Sequence, residues 1–324
     1  MAQKPTFAVV TPMKNEGPFI LEWVAHNKAI GVDTIAVYSN DCDDGSDVLL
    51  DKLDEHGVIR HFDNSTRRRV SPQKRAYKRF IRSDMWDSHD WIVVIDADEL
   101  INVKTGDHTL HALVEAIPDA QTISMTWRLF GNAGVMEYQD DFLTSQFQKC
   151  ARSVTRRPPQ AWGLKTMFNP KIWGHIGVHR PKRPAVETFE ETHWYNGSGK
   201  LMPEAYFQSR WRSGLDSYGY QLVQLNHYAL KSVESYLVKK ARGRAHHVGG
   251  DLGLDYWRKM NHNYIEDTSV NAMDGAKRAV YDQIRALPGV AELDDACKSY
   301  HRARIKELRE LPEYGELLTT LERA

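Results

Sequence analysis

Short apolar runs alternate with helix-like segments over the first hundred residues, and this alternation limits the folds open to the chain. The runs lie at residues 6–11, 33–38, 58–64 and 91–95. Strands joined by helices of ten or more residues predict βαβ units. A continuous run such as Ile92–Ile95 suits a strand that is buried on both faces. We therefore predict an α/β fold in which a mostly parallel, doubly wound sheet carries helices on both faces.

The alternation loosens after Ile101. Residues 131–200 are rich in Gly, Pro, Arg and Trp and show little periodicity, which is typical of an insertion or binding region and not of a core. Helical patterns return from about residue 221 and continue to the C-terminus. We predict one domain over residues 1–230, with the insertion inside it, and a C-terminal helical region over residues 231–324.

Composition argues against several classes of protein. The 324 residues include 43 Lys plus Arg and 43 Asp plus Glu, and this balance gives no sign of nucleic-acid binding. The three cysteines are far apart and lack a CxxC spacing, which favours free thiols in a reducing compartment. No apolar run approaches the ~18 residues of a membrane span, and no signal peptide is recognisable. We expect a soluble, cytoplasmic protein without an integral membrane segment.

Three carboxylates follow the fourth strand-like run. Asp96, Asp98 and Glu99 come directly after Ile95, at the place where ligands bind in open α/β sheets. Two carboxylates at this spacing suit a hard divalent cation, Mn²⁺ or Mg²⁺, that neutralises a bound diphosphate. The alternative is a pair of solvated acids that cap the following loop, and the pattern alone leaves both open.

Several landmarks follow one another in a fixed order along residues 6–245. They are "TPMKNE", "VYSNDCDDGS", "QKRAYKRF", "VVIDADE", "FNP…IGVHRP" and "LNHYALKSVESYLVKKARGR". Together they resemble GT-A fold glycosyltransferases of the family 2 type, and most closely the bacterial branch related to glycosyltransferase family 92. The resemblance implies a metal-dependent enzyme that moves a sugar from a nucleotide-sugar, such as a UDP-sugar, to a hydroxyl of a glycan or other acceptor.

The resemblance also assigns roles to matching positions. Substrate-binding roles fall on the following residues: Thr11, Pro12, Asn15, Glu16, Asn40, Asp41, Lys74, Asp96, Lys165, His179 and Lys231. Asp98 is assigned to catalysis, and Asp96, Asp98 and His227 to the metal. Glu99 is expected to orient its neighbours. Additional positive charge for the leaving diphosphate comes from Lys239, Arg242 and Arg244.

Each of these assignments has a plainer alternative. Asn40 and Asp41 are also ordinary turn formers. Lys74 suits a solvated helix face, and His227 suits a buried structural histidine. The aromatic residues of the irregular middle suit either sugar stacking or core filling. Those residues are Trp127, Trp162, Trp173, Trp194, Tyr195 and Trp211.

The catalytic base is the weakest match. An inverting transferase, which the resemblance implies, needs a carboxylate to deprotonate the acceptor hydroxyl. Asp140, Asp141, Glu190 and Glu191 lie in the acceptor-side region, and Asp141 and Glu191 are the candidates.

Three rival functions use similar elements. A dehydrogenase needs GxGxxG after the first strand, where residues 11–18 read TPMKNEGP. A haloacid dehalogenase-type phosphatase needs DxDG[TS] on that first strand. A non-catalytic, metal-dependent carbohydrate-binding protein would keep the metal and the aromatic residues, and it stays open as the alternative.

Overall fold

The fold was analysed in a computed structural model. It describes residues 4–65, 71–155, 157–242 and 253–322. The strands are β1 (Phe7–Met13), β2 (Thr34–Ser39), β3 (Arg60–Asp63), β4 (Trp91–Val94), β5 (Glu99–Val103), β6 (Thr122–Leu129), β7 (Lys149–Cys150), β8 (Leu164–Phe168), β9 (Trp173–His175), β10 (Lys182–Pro184), β11 (Trp194–Asn196), β12 (Val223–His227) and β13 (Ile265–Glu266).

The helices follow in the same numbering. They are α1 (Ile20–Ala29), α2 (Ser46–Glu55), α3 (Pro72–Phe80), α4 (Asp84–Asp87), α5 (Leu110–Ala116), α6 (Leu143–Gln146), α7 (Ala205–Gln208), α8 (Val233–Arg242), α9 (Leu254–Met260), α10 (Asp274–Arg285), α11 (Val290–Arg309) and α12 (Pro312–Glu322). Short 3₁₀ turns occupy Gly17–Phe19, Pro159–Trp162, Glu190–Thr192 and Ser269–Met273.

The central sheet has the order β3-β2-β1-β4-β8-β6-β12-β5, with β11 also paired to β6. Strands β1 to β4 are parallel neighbours, as the sequence predicts. Strand β8 is antiparallel to both β4 and β6, so β6 runs in the same direction as β4. Strands β11 and β12 are parallel to β6, and β5 is antiparallel to β12. The predicted mostly parallel α/β sheet is therefore confirmed.

Helices cover both faces of this sheet because side chains alternate along each strand. On one face Val9 and Val37 join a core cluster that includes Leu50 of α2. On the other face Val10 belongs to a second cluster with Phe80 of α3. Helix α3 begins where the sequence predicts, with Pro72 in its first turn and the Ser71 side chain accepting from the Lys74 N–H.

The C-terminal helices pack onto the sheet domain. Helix α10 lies against α1, and α11 lies against α2 and α8. The Glu22 carboxylate on α1 lies 3.6 Å from the ammonium of Lys277 on α10, and both side chains are buried. The domain boundary near residue 230 stays a prediction. None of the described helices combines the length and the apolar character that a bilayer crossing requires.

Two local expectations were wrong. Residues 131–200 do not stand outside the core, because β8 lies between β4 and β6 and β11 extends the same sheet. The charged Lys165, the second residue of β8, hid this strand from a prediction based on apolar runs. Strand β1 also continues through Pro12 to Met13. Proline is tolerated there because the pairing of β1 with β4 ends at Val10.

Candidate active site

The sheet topology brings the predicted site segments to one edge. Strands β1, β2, β4 and β12 run in one direction, so their carboxyl ends share that edge. The segments after them carry Glu16, Asn40 and the Asp96–Asp98 turn, and β12 itself ends at His227. The oppositely directed β5 and β8 begin at the same edge, at Glu99 and Leu164. This convergence follows from strand direction alone.

The Asp96 carboxylate is bound by a buried lysine. Its Oδ2 accepts a hydrogen bond from Lys165 Nζ at 2.9 Å, and its Oδ1 accepts from Gln73 Nε2 at 3.4 Å. The Lys165 side chain is fully buried. Although burial lowers the pKa of Lys165, the charges of Asp96 and Glu99 raise it above its usual value. The lysine therefore stays charged and fixes Asp96 at the edge of the sheet.

The Asp98 carboxylate has two different neighbours. Its Oδ2 accepts from Lys239 Nζ at 2.7 Å, and its Oδ1 lies 3.6 Å from His227 Nε2. The second distance is too long for a hydrogen bond. Although burial raises the pKa of Asp98, Lys239 and His227 bring it well below its usual value. Asp98 is thus an ionised carboxylate with one oxygen directed toward an imidazole nitrogen.

The Glu16 carboxylate binds two cations from the C-terminal side of the sheet domain. Its Oε2 accepts from Lys231 Nζ at 2.9 Å, and its Oε1 accepts from the Arg242 guanidinium. Burial raises the pKa of Glu16, but Arg242, Lys231 and Lys239 lower it to about 2. The ammonium of Lys231 also lies 3.7 Å from the centroid of the Phe19 ring. Arg244, the remaining predicted cation, lies outside the described residues.

Glu99 holds the turn that carries the two aspartates. Its Oε2 accepts from the Asp96 backbone N–H at 2.8 Å, and its Oε1 accepts from Trp127 Nε1 at 2.7 Å. Burial raises the pKa of Glu99 to about 7, although Lys165 opposes the shift. The Trp127 ring in turn lies 4.6 Å from the ring of His227. Glu99 therefore connects Asp96 to the histidine through one tryptophan.

The predicted nucleotide-binding residues line the same edge. Thr11 is buried within β1, and Pro12 follows it in the strand. Asn15 has a positive φ and accepts from the backbone N–H of Asp43 through its Oδ1 at 3.0 Å. Asn40 is 3% exposed, and its Oδ1 has no hydrogen-bond partner among the described residues. A buried, unpartnered amide oxygen at a strand end is a ready acceptor for a ligand.

Two predicted contacts lie on the β8 side of the edge. His179 donates its Nδ1–H to the Leu164 carbonyl at 3.1 Å, and its ring stacks on Trp211 with centroids 4.2 Å apart. Burial and the charge of Lys165 lower the pKa of His179 to about 4. Lys74 is exposed on α3 and lines a cavity on the far side of Tyr77. Asp41 is exposed next to Asn40, also with a positive φ.

The candidate bases lie at the protein surface. Asp141 faces Arg278 of α10 at 3.8 Å, and both side chains are half exposed. The Glu191 carboxylate accepts from Thr188 within its own exposed turn. Asp140 pairs with Lys298, and Glu190 begins the same short turn as Glu191. The structure does not bring any of these four together with Asp98 through a described contact, so the assignment of the base stays a prediction.

The aromatic residues divide between the two expected roles. Trp173 and Trp194 are fully buried in the core. Trp127 and Trp211 lie beside the histidines of the site, while Trp162 packs against Tyr218.

The residues present fit a divalent cation in part. Within the described ranges, no group of three or more His, Cys, Asp or Glu side chains lies close enough to hold a metal. Asp98 Oδ1 and His227 Nε2 are two suitable donors, and their 3.6 Å separation lies within the span of two ligands bound at about 2.0–2.2 Å each. The carboxylate suits Mn²⁺ or Mg²⁺, with water and substrate phosphates as further ligands, and the neutral imidazole is an additional nitrogen donor.

The chain belongs to glycosyltransferase family 92, whose model matches residues 7–193, more than half of its length. It is therefore a glycosyltransferase. No curated protein matches it.

Several solved structures match parts of the chain at low sequence identity. S. aureus TarS is 10% identical to this chain. The match covers 94% of this chain and 55% of the TarS chain, with a TM-score of 0.36. The M. tuberculosis glucosyl-3-phosphoglycerate synthase, solved with Mn²⁺ and UDP, is 19% identical over 38% of this chain and 44% of its own, with a TM-score of 0.25. HddC from Yersinia pseudotuberculosis is 9% identical to this chain. The match covers 52% of this chain and 78% of the HddC chain, with a TM-score of 0.30. In the TarS structure of residues 1–349, the match spans 48% of that chain, about half its length.

Proposed function

We propose that the protein transfers a sugar from a nucleotide diphosphate sugar, with UDP as the expected nucleotide, to a hydroxyl of an acceptor, with a divalent cation bound at Asp98 and His227. The observation that carries this proposal is the pair of donor atoms, Asp98 Oδ1 and His227 Nε2, which face each other at 3.6 Å at the ligand-binding edge of the sheet. The family to which the chain belongs supports the transfer reaction.

The nucleotide is proposed to lie over the ends of β1 and β2. Asn40 offers its unpartnered Oδ1 to a donor on the base or ribose. Thr11 and Pro12 supply the wall of the pocket, and Asn15 and Asp41 its polar margin. The positive φ of Asn15 and Asp41 is the kind of backbone strain that occurs at binding sites.

The diphosphate is proposed to lie toward α8. Lys231, Lys239 and Arg242 project into this part of the site and are bound at present by Glu16 and Asp98. These cations would stabilise the negative charge that develops on the leaving diphosphate. A bound Mn²⁺ or Mg²⁺ would add further charge neutralisation there. Asp96, fixed by Lys165, would direct the sugar or a water ligand toward the same point.

An inverting course is part of the proposal. It requires a carboxylate that takes the proton from the acceptor hydroxyl. Asp141 and Glu191 remain the candidates from the sequence. The acceptor is expected to approach from the β8 side, along His179 and Trp211.

The test is calorimetric titration of UDP with and without Mn²⁺. Asp98→Asn keeps the size of the side chain but weakens its metal binding, so we expect UDP affinity in Mn²⁺ to fall at least tenfold, about 1.4 kcal/mol. His227→Ala should do the same and should remove most transfer activity. Asp119→Asn, an exposed residue of the turn after α5, serves as the matched control.

The melting temperature of each variant separates binding from folding. A His227→Ala protein that is destabilised but binds Mn-UDP with wild-type affinity would show that His227 is a structural histidine. If Asp98→Asn binds Mn-UDP as tightly as the wild type, the proposed site is wrong.

A further inference from the structure

A second concave region lies on the other side of α3 from the carboxylates. It is a cavity of about 640 Å³ between α3 and the hairpin formed by β9 and β10. Six basic side chains line it, and they are Lys74, Lys78, Arg82, His175, Lys182 and Arg183. We call this region the basic cavity. No Asp or Glu is among its lining residues.

The part of the chain that the structure describes gives the cations of the basic cavity no acidic partner. Among the residues that the structure describes, no carboxylate oxygen lies within 4.0 Å of any of its five lysines and arginines. Lys74, Lys78 and Arg82 follow one another at a spacing of four residues, so their side chains share one face of α3 and the turn after it. Like charges at this spacing destabilise a helix. The arrangement therefore works against stability and suits the binding of an anion.

The hairpin side of the cavity carries two further signs of a binding site. His175 Nδ1 is buried and has no hydrogen-bond partner among the described residues. Burial and the charges of Arg183 and Lys182 lower the pKa of His175, which places its ring in a positive field. Arg183 has a φ of 54°, a strained conformation for a residue with a side chain. An anion would supply the missing partner and reduce the repulsion.

The basic cavity shares a wall with the proposed active site. Tyr77 lines the cavity, and its hydroxyl accepts from Gln73 Nε2 at 3.1 Å. The same Gln73 nitrogen lies 3.4 Å from Asp96 Oδ1. On the opposite side Val178 lines the cavity, and the next residue, His179, packs on Trp127 and Trp211. Tyr77 and Gln73 therefore connect the wall of the cavity to Asp96, on the side where the acceptor is expected.

We propose that the basic cavity binds a phosphate group of the acceptor substrate. The inference rests on the proposed function, because it identifies the ligand as the acceptor of that transfer. A phosphate group carries about −1.5 to −2 charges at pH 7 and several acceptor oxygens, and a carboxylate carries only one charge. Five cations and an imidazole nitrogen that lack a partner among the described residues match a phosphate better than a carboxylate.

The test measures binding of inorganic tripolyphosphate, inorganic phosphate and glucuronate by calorimetry in metal-free buffer. The test variant is Lys78→Gln/Lys182→Gln, which removes one charge from each wall of the cavity. The matched control is Arg258→Gln/Lys259→Gln, which removes two exposed charges from α9. We expect tripolyphosphate affinity to fall at least tenfold in the test variant and less than twofold in the control. UDP affinity in Mn²⁺ should be unchanged in both.

Each outcome bears on the proposal. Equal losses in test and control variants, or no loss in the test variant, would overturn it. Glucuronate binding as tight as inorganic phosphate would overturn the assignment to phosphate. Arg82→Gln/Arg183→Gln is a second test pair should the first fold poorly. Wild-type protein that binds tripolyphosphate through these residues but not Mn-UDP would support the cavity and contradict the proposed function. The reverse result would contradict the cavity alone.

Discussion

Two groups of cations lie on either side of Tyr77 and Gln73, and they differ in how their charge is balanced. In the carboxylate cluster, formed by Glu16, Asp96, Asp98 and Glu99, buried or partly buried acids bind Lys165, Lys231, Lys239 and Arg242 directly. In the basic cavity, exposed lysines and arginines face one another without a described acid. The first group is neutralised within the protein, whereas the described residues leave the charge of the second to solvent or to a ligand.

The two regions differ because a buried charge and an exposed charge have different requirements. A buried ion needs a partner because burial in a low-dielectric interior is costly. An exposed lysine does not, because water and salt screen its repulsion. The cations of the carboxylate cluster are thus already paired with acids of the protein. They must exchange some of these ion pairs for contacts with the phosphates when a diphosphate binds. The basic cavity has nothing to exchange, so an anion can enter it without breaking an ion pair.

The largest expected difference between the two regions concerns the removal of one lysine. Lys165→Met leaves Asp96 and Glu99 without their buried cation, and we expect a loss of about 3–5 kcal/mol in the free energy of unfolding. Lys78→Met removes an exposed lysine of the basic cavity and should change the free energy of unfolding by no more than about 1 kcal/mol. Urea unfolding of both variants at one pH makes the comparison. Similar losses would show that burial does not separate the two regions.

A smaller effect is expected from pH. The folded state lowers the pKa of Glu16 from 4.5 to about 2, so its contribution to stability is present above pH 4.5 and decreases as the pH falls toward 2. Glu16→Gln lacks this contribution. The difference in unfolding free energy between wild type and variant should therefore narrow by about 2 kcal/mol between pH 6 and pH 3, at about 1.36 kcal/mol per pKa unit.

Urea unfolding at several pH values measures that difference. Lys231 and Arg242 remain buried in the variant, so it starts less stable at pH 6, and only the change with pH is diagnostic. A constant difference across the range would mean that Glu16 has an ordinary pKa in the folded protein.

The sequence predicted which strand ends meet at the edge of the sheet, but it did not predict which side chains pair there. Apolar runs and turn residues placed Thr11, Asn40 and Asp96 after neighbouring parallel strands, because strand direction fixes which ends meet. The partner of each side chain depends on tertiary packing instead. Glu16 binds Lys231, 215 residues later in the chain, and no local pattern indicates such a pairing.

Strand β8 and the basic cavity were missed for related reasons. A buried lysine within LKTMF hides a strand that has only five residues. Lys74 was predicted to bind substrate, but its neighbours in the cavity, Lys182 and Arg183, come from the β9–β10 hairpin, far along the chain. The spacing of Lys74, Lys78 and Arg82 along α3, without an acid between them, was the one local signal of that surface.

The smallest expected effect tests whether this spacing is retained at the expense of stability. Lys78→Glu places an acid four residues from both Lys74 and Arg82, which turns two repulsive pairs into two attractive ones. Each such pair is worth about 0.2–0.5 kcal/mol. The free energy of unfolding of the variant should therefore be about 1 kcal/mol higher than that of the wild type at low salt. The gain in stability should shrink in 1 M salt, because these side chains are exposed.

The same variant should bind tripolyphosphate more weakly than Lys78→Gln does, since an acid now repels the ligand. Melting temperatures at two salt concentrations measure the change in stability, and one calorimetric titration measures the change in tripolyphosphate binding. A variant that is no more stable than wild type would show that the lysines of α3 do not repel one another, and the contrast between the two regions would then rest on their partners alone.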